Sequence, residues 1–393
     1  MAAPDERDFD VVVFGATGFT GALTAAYLAR NGPGGLRWAL AGRNPGKLEQ
    51  VRADLAGIDP ALADLPLLVA DVSDPATLAD VAARTRVVIT TVGPYLTYGE
   101  PLVAACAEAG TDYVDLTGEP EFVDRMYLAH HATAERTGAR IVHACGFDSI
   151  PHDLGAYFTV QQLGASGPVT LRGVVRAAAQ PSGGTFHSAM TQMSRARQAR
   201  AAYADRRRAE PRPADGRSSR AVGGKPHRDK VLGYWLLPLP TIDPAIVARS
   251  GAALPVYGSR FRYSHYAGTK TLAFAAGGAA VVTALAVSAQ VKPLRNLLLG
   301  RIRQGDGPSE ERREKSWFRV DFVGEGDGRP VHARVSGGDP GYTETAKMLA
   351  ESALCLAFDD NPACAGQVTT AQAMGDALTE RLQRAGIRFE VVG

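Results

Sequence analysis

Six residues, Phe9-Asp10-Val11-Val12-Val13-Phe14, run straight into Gly15-Ala16-Thr17-Gly18-Phe19-Thr20-Gly21, and this junction restricts the fold more than any other feature of the chain. The first run is β-branched and apolar enough to be a strand buried on both faces of a parallel sheet. The glycines that follow permit a tight turn, let backbone N–H groups approach a pyrophosphate, and open a helix whose positive end faces it. The same alternation continues. Helices are predicted over 20–30, 47–55, 76–83, 100–109 and 122–137, with strands over 37–41, 66–70, 87–91, 113–115 and 140–144. Regular β-α-β order of this kind predicts an α/β fold with an N-terminal Rossmann doubly wound parallel sheet over residues 1–152.

The pattern changes beyond that point. Runs at 169–178, 260–266, 317–323 and 331–335 alternate like strands, and 324–329 suits a hairpin turn between the last two. Residues 153–342 therefore read as a second α+β domain with a mixed or antiparallel sheet, for the substrate. The tail, 343–393, returns to helices expected to pack back on the Rossmann domain. Two stretches of the second domain stand apart. Residues 195–230 carry twelve Lys or Arg against four Asp or Glu and many Pro and Gly, which predicts a long basic surface loop. Residues 271–291 hold no charge between Lys270 and Lys292. That length meets the threshold of roughly 18 to 20 residues for a membrane span, but richness in Ala and Gly favours a buried or interfacial helix in peripheral membrane contact.

Formal net charge is only +2, which gives no reason to expect nucleic acid as a partner. The four cysteines are scattered without a CxxC pair, and His130-His131 lack ligand spacing, so neither a disulfide framework nor a metal is expected. Residues 1–10 are acidic and polar, without the basic-then-apolar pattern of a secretory leader, and a cytoplasmic location is expected.

Cofactor choice rests on the end of the second strand. An acid there would bond a free ribose 2′-hydroxyl. The sequence has Ala41-Gly42-Arg43 instead, and an arginine pairs with a 2′-phosphate, which selects NADP(H). The expected cofactor residues are Gly15, Thr17, Gly18, Phe19, Thr20 and Gly21 at the turn, with Arg43 and Lys47 for the 2′-phosphate. Asp71 is placed for the adenine edge, and Thr91, Gly93 and Pro94 for the nicotinamide half.

Together with Asp115-Leu116-Thr117-Gly118-Glu119 and Ala144-Cys145-Gly146-Phe147-Asp148-Ser149-Ile150-Pro151, these motifs resemble the saccharopine dehydrogenase-like oxidoreductases. Phe261-Arg262-Tyr263-Ser264 and Ala373-Met374-Gly375-Asp376-Ala377-Leu378 bring the resemblance closest to the mycobacterial-type trans-acting enoyl reductases that serve polyketide synthases. The resemblance implies a Rossmann domain, NADP(H), homodimerisation, and a lipid or polyketide acyl substrate, free or bound to a carrier protein. The catalytic residues read from position are Tyr95, beyond the nicotinamide loop, and Asp148, past the strand at 140–144; packing and helix capping compete with those roles. The basic stretch around Arg206-Arg207-Arg208 suits an acidic carrier protein. Two other readings stay open: an imine or carbonyl reductase of amino-acid metabolism, and a non-catalytic nucleotide-binding protein at a lipid surface.

Overall fold

The computed structural model describes residues 6–179, 183–301 and 308–392. Fifteen strands lie among them. In chain order they are β1 (Phe9–Phe14), β2 (Trp38–Gly42), β3 (Leu67–Val69), β4 (Thr85–Thr90), β5 (Asp112–Asp115), β6 (Arg140–Val142), β7 (Pro168–Ala178), β8 (Ser218–Ala221), β9 (His227–Arg228), β10 (Trp235–Pro238), β11 (Arg260–Thr269), β12 (Trp317–Gly326), β13 (Arg329–Gly337), β14 (Gly366–Val368) and β15 (Arg388–Val391). The described chain divides into two compact units. One comprises residues 6–147 and 342–385, the other 148–301, 308–341 and 386–392.

The first unit is built on a seven-stranded sheet of order β14-β6-β5-β4-β1-β2-β3, parallel throughout. Every residue of β1 is buried because the strand lies between β2 and β4 with both faces covered. Chain order runs outward from β1 in one direction and from β4 in the other. The carboxyl ends of these two strands therefore form the switch point where such sheets bind ligands. The helix Thr343–Phe358 is buried on nearly every side and fastens to this unit by polar bonds. Tyr27 donates its hydroxyl hydrogen to Glu351 at 2.7 Å, and Arg86 bonds the Ala357 carbonyl at 2.6 Å. After it, β14 adds a seventh strand beside β6. Its three residues are too few to display a strand period, so the sequence reading passes over it.

The second unit carries an eight-stranded mixed sheet of order β15-β13-β12-β7-β11-β10-β9, with β8 paired to β11. β7 and β8 run parallel to β11 while the other pairings are antiparallel. The β12–β13 hairpin turns through Asp327 and Gly328, both at positive φ, as a two-residue turn of this hand requires. The final strand β15 joins this sheet, whereas the sequence reading assigns all of 343–393 to helices on the other unit.

One expectation for this unit is corrected and another is narrowed. The basic stretch is no loop over its first half: Ala196–Ala209 is a helix. Its Ala and Arg residues are strong helix formers, and the breakers Pro211, Pro213 and Gly216 begin only afterwards. Arg206 is buried, ion-paired to Glu210, which also pairs with Arg249 at 2.9 Å. Residues 271–291 do form a helix, Leu272–Gln290, with Thr271 accepting from the Phe274 amide as its cap. That helix is not buried. Its most apolar window has a mean hydropathy of 2.0, yet only 12% of that window is enclosed, and Phe274 is 74% exposed.

Candidate cofactor and catalytic site

In the first unit, β1 ends at Gly15, whose φ of +88° suits glycine and few other residues. Its N–H donates to the Ala41 carbonyl at 2.9 Å, tying the turn to β2. Its carbonyl accepts from the Gly18 amide at 3.0 Å and from the Thr91 hydroxyl at 3.1 Å, tying it to the segment after β4. A Cβ at Gly21 would lie 2.3 Å from that carbonyl and 2.8 Å from Thr91 Oγ1. No side chain other than hydrogen fits there. The helix Phe19–Asn31 starts at Gly18, which provides no side-chain cap, so its first turn is directed toward whatever binds at the strand ends. Thr17 and Gly18 are exposed on the outer rim of the turn. Phe19 stacks edge-on against Tyr342 at 4.9 Å, and Thr20 uses its carbonyl to accept from Thr24 at 2.8 Å.

Arg43 follows β2 directly and is exposed. Asp71, beyond β3, is held below the usual carboxylate range, first by the Ser73 backbone amide and hydroxyl and then by the Arg43 cation. The two side chains thus share one electrostatic neighbourhood at the rim. Lys47 is exposed on the helix Pro45–Ala56, where its amide donates to Asn44 Oδ1 at 3.0 Å. This cap fixes the start of that helix beside Arg43.

The segment Thr91 to Tyr95 is shaped from below. Glu119 accepts from the Tyr95 amide at 3.2 Å and the Leu96 amide at 2.9 Å. The Tyr95 hydroxyl is buried, donates to the Thr90 carbonyl at 3.1 Å and accepts from the Leu116 amide at 3.4 Å. Burial pushes its pKa well up. Its proton is directed to the Thr90 carbonyl, where it holds the loop. Asp115, fully buried, organises the next loop: it accepts from the Thr117 and Ala144 amides at 3.0 and 2.9 Å, from Tyr113 at 3.0 Å, and pairs with His143 at 2.7 Å. Asp115 and Glu119 stand in the quoted motifs but were given no role from sequence, since a carboxylate that braces a loop through backbone amides has no spacing signature.

The second unit begins at Asp148. Its carboxyl is half-buried and burial alone pushes it up to about 6. It does not cap a helix. Ser149 occupies the cap position of the helix Ile150–Leu163, and its carbonyl accepts from the His152 and Asp153 amides. Asp148 is thus left with a proton affinity suited to acid–base work near neutrality. Sequence reasoning missed a neighbouring group altogether. His152, Asp243 and His265, distant in the chain, meet inside this unit with one ligating atom from each within 4.8 Å of the others.

Residues 11–142 match the saccharopine dehydrogenase NADP binding domain family. Over nearly its full length the chain is similar to the trans-acting enoyl reductase of Mycobacterium bovis, at 39% identity across 98% of each protein. Similarity to the trans-acting enoyl reductase of Mycobacterium ulcerans is 37% across 97% of each. Among solved structures, the saccharopine dehydrogenase (L-Glu forming) of Saccharomyces cerevisiae superposes with a TM-score of 0.56 at 12% identity, covering 98% of this chain and 100% of that one. At that identity the likeness is one of fold.

Proposed function

This chain belongs to the saccharopine dehydrogenase-like family of NADP-dependent oxidoreductases, and from that premise we propose that it reduces the carbon–carbon double bond of an enoyl thioester of lipid type. The observation that carries the reading is full-length identity of 37 to 39% to proteins named for that reaction. The cradle at Gly15, Gly18 and Gly21 fits a dinucleotide, because a Cβ at Gly21 would fill the space that brings turn and helix together. In this reading Thr17, Phe19 and Thr20 complete the pyrophosphate turn, Arg43 and Lys47 hold the 2′-phosphate, Asp71 faces the adenine, and Thr91, Gly93 and Pro94 border the nicotinamide.

Bound NADPH would supply a hydride for the β-carbon of the conjugated thioester. Asp148 would supply the proton for the α-carbon, so that one hydride and one proton add across the C=C bond. A carboxyl pushed up to about 6 keeps a protonated fraction at neutral pH that an ordinary aspartate lacks. Tyr95 acts as a positioning residue through the loop it braces.

The finer assignments concern delivery of a greasy substrate to a cytoplasmic enzyme that works as a homodimer. The exposed arginines Arg197, Arg200, Arg207 and Arg208 of the helix Ala196–Ala209 offer a positive stripe to an acidic acyl carrier. The apolar helix Leu272–Gln290 leads into Lys292–Arg301, which pairs exposed Leu294 and Leu297 with basic residues. Such a combination suits peripheral contact with an anionic lipid surface.

Incubating the protein with 4-deuterated NADPH and an enoyl thioester tests the reaction. One deuterium at the β-carbon of the saturated product and a solvent proton at the α-carbon are expected, with no product from NADH at equal concentration. NADPH binding without consumption on free or carrier-bound enoyl thioesters overturns the reading.

A further inference from the structure

Three residues of the second unit, separated by up to 113 positions, converge on one interior point. His152 comes from the first turn of the helix Ile150–Leu163, Asp243 from the start of the helix Asp243–Ala253, and His265 from β11. None is more than 5% exposed. His152 Nε2 lies 3.5 Å from Asp243 Oδ1, and His265 Nε2 lies 3.7 Å from Asp243 Oδ2. The imidazoles meet edge to face at 4.9 Å.

These separations are too long for good hydrogen bonds, which for N–H···O end near about 3.2 Å. Around a tetrahedral ion with bonds of about 2.0 to 2.2 Å, neighbouring ligand atoms stand roughly 3.3 to 3.6 Å apart; the His152 separation falls within that spacing, and the His265 separation, to the other carboxylate oxygen, just outside it. Asp243 Oδ1 and His265 Nε2 make no hydrogen bond among the described residues, although buried polar atoms are almost always paired. The other nitrogen of His265 is held: the Tyr263 hydroxyl lies 2.9 Å from Nδ1. That is the support which orients a metal-bound imidazole. Gly173, opposite His265 on β7, makes room for it, since a Cβ there would lie 2.2 Å from the Tyr263 oxygen. The Asp243 carboxylate is steadied by the Thr241 hydroxyl.

We propose that His152, Asp243 and His265 form a binding site for one divalent transition-metal ion of the zinc class. Two imidazoles and one carboxylate are donors that such ions prefer, whereas magnesium and calcium select all-oxygen sets. Three protein ligands leave a fourth position for a water or a ligand oxygen. An ion would give the buried Asp243 carboxylate a countercharge.

The test uses the full chain purified without chelator and needs no turnover. Metal analysis is expected to find about one zinc-class ion per chain. After stripping, a cobalt(II) titration should saturate at the same stoichiometry with the intense visible absorption of a low-coordinate nitrogen and oxygen site, reversed by zinc. Asp243→Asn and His265→Gln should weaken cobalt binding by roughly 100-fold or more, while circular dichroism and NADPH binding stay unchanged. Should either variant fail to fold, Tyr263→Phe keeps all three ligands and should weaken cobalt roughly tenfold. Wild-type protein with neither stoichiometric metal nor a saturable cobalt spectrum overturns the proposal, as does cobalt affinity that is indifferent to all three substitutions.

Discussion

The glycine turn of the first unit and the acidic cluster of the second are built on opposite plans. Gly15, Gly18 and Gly21 act through backbone: one carbonyl, that of Gly15, receives the Gly18 amide and the Thr91 hydroxyl and sits where any Cβ on Gly21 would be. Asp148, His152, Asp243 and His265 act through side chains whose ionisation is governed by burial. The first plan demands that side chains be absent and is tolerant of electrostatics; the second demands particular side chains and is governed by proton and charge. A turn that holds a dinucleotide is therefore sensitive to volume, and a buried acid is sensitive to pH.

The contrast is sharpest at Asp148. Asp148→Asn is expected to lower turnover on an enoyl thioester by roughly 10² to 10⁴ while leaving NADPH affinity intact. In chelator-treated wild type, turnover should fall as pH rises past about 6, because ionisation of this carboxyl removes the proton it gives. Stability carries its own sign. A carboxyl raised from 3.8 to about 6 binds more protons folded than unfolded between those values, so the folded state loses stability as pH rises through that window. Above it, the asparagine variant should be more stable than wild type by roughly 1 to 3 kcal/mol, read from thermal melts. A variant that keeps full turnover would remove Asp148 from the chemistry.

Gly21→Ala adds a single methyl to the other plan. It should weaken NADPH binding by roughly 100-fold or more at every pH, measured by fluorescence titration, because carbonyl and helix must separate to admit it. A pH-dependent loss would blur the distinction drawn here. Arg43→Ala is expected to weaken NADPH roughly 10- to 100-fold and leave NADH unchanged, the effect of removing charge-assisted bonds to one phosphate. The smallest change is expected from Tyr95→Phe. Losing its bonds to Thr90 and Leu116 should cost about 1 kcal/mol of stability and only a few-fold in turnover. A collapse in turnover without a change in stability would return Tyr95 to the proton-donor role.

These two plans also explain what could be read in advance. The parallel sheet was legible because Val11, Val12 and Val13 advertise burial on both faces and the glycines mark the turn that follows. The position of Arg43 directly after β2 was legible from the strand pattern. The helix at Ala196–Ala209 was obscured by charge, since arginine density resembles a solvated loop until Arg206 is seen buried against Glu210. The convergence of His152, Asp243 and His265 was hidden because it depends on the register of β11 against β7 and on where two helices begin. No local spacing encodes that.

The course of the last fifty residues has a consequence for biosynthesis. After residue 341 the chain supplies the helix Thr343–Phe358 and strand β14 to the first unit, then crosses once more so that β15 can pair with β13 in the second. The first sheet lacks β14 and the second lacks β15 until those segments have left the ribosome, although domains ordinarily mature in order of synthesis. A truncation before Thr343 should leave two exposed sheet edges at once, beside β6 and beside β13, each open to pairing with another chain.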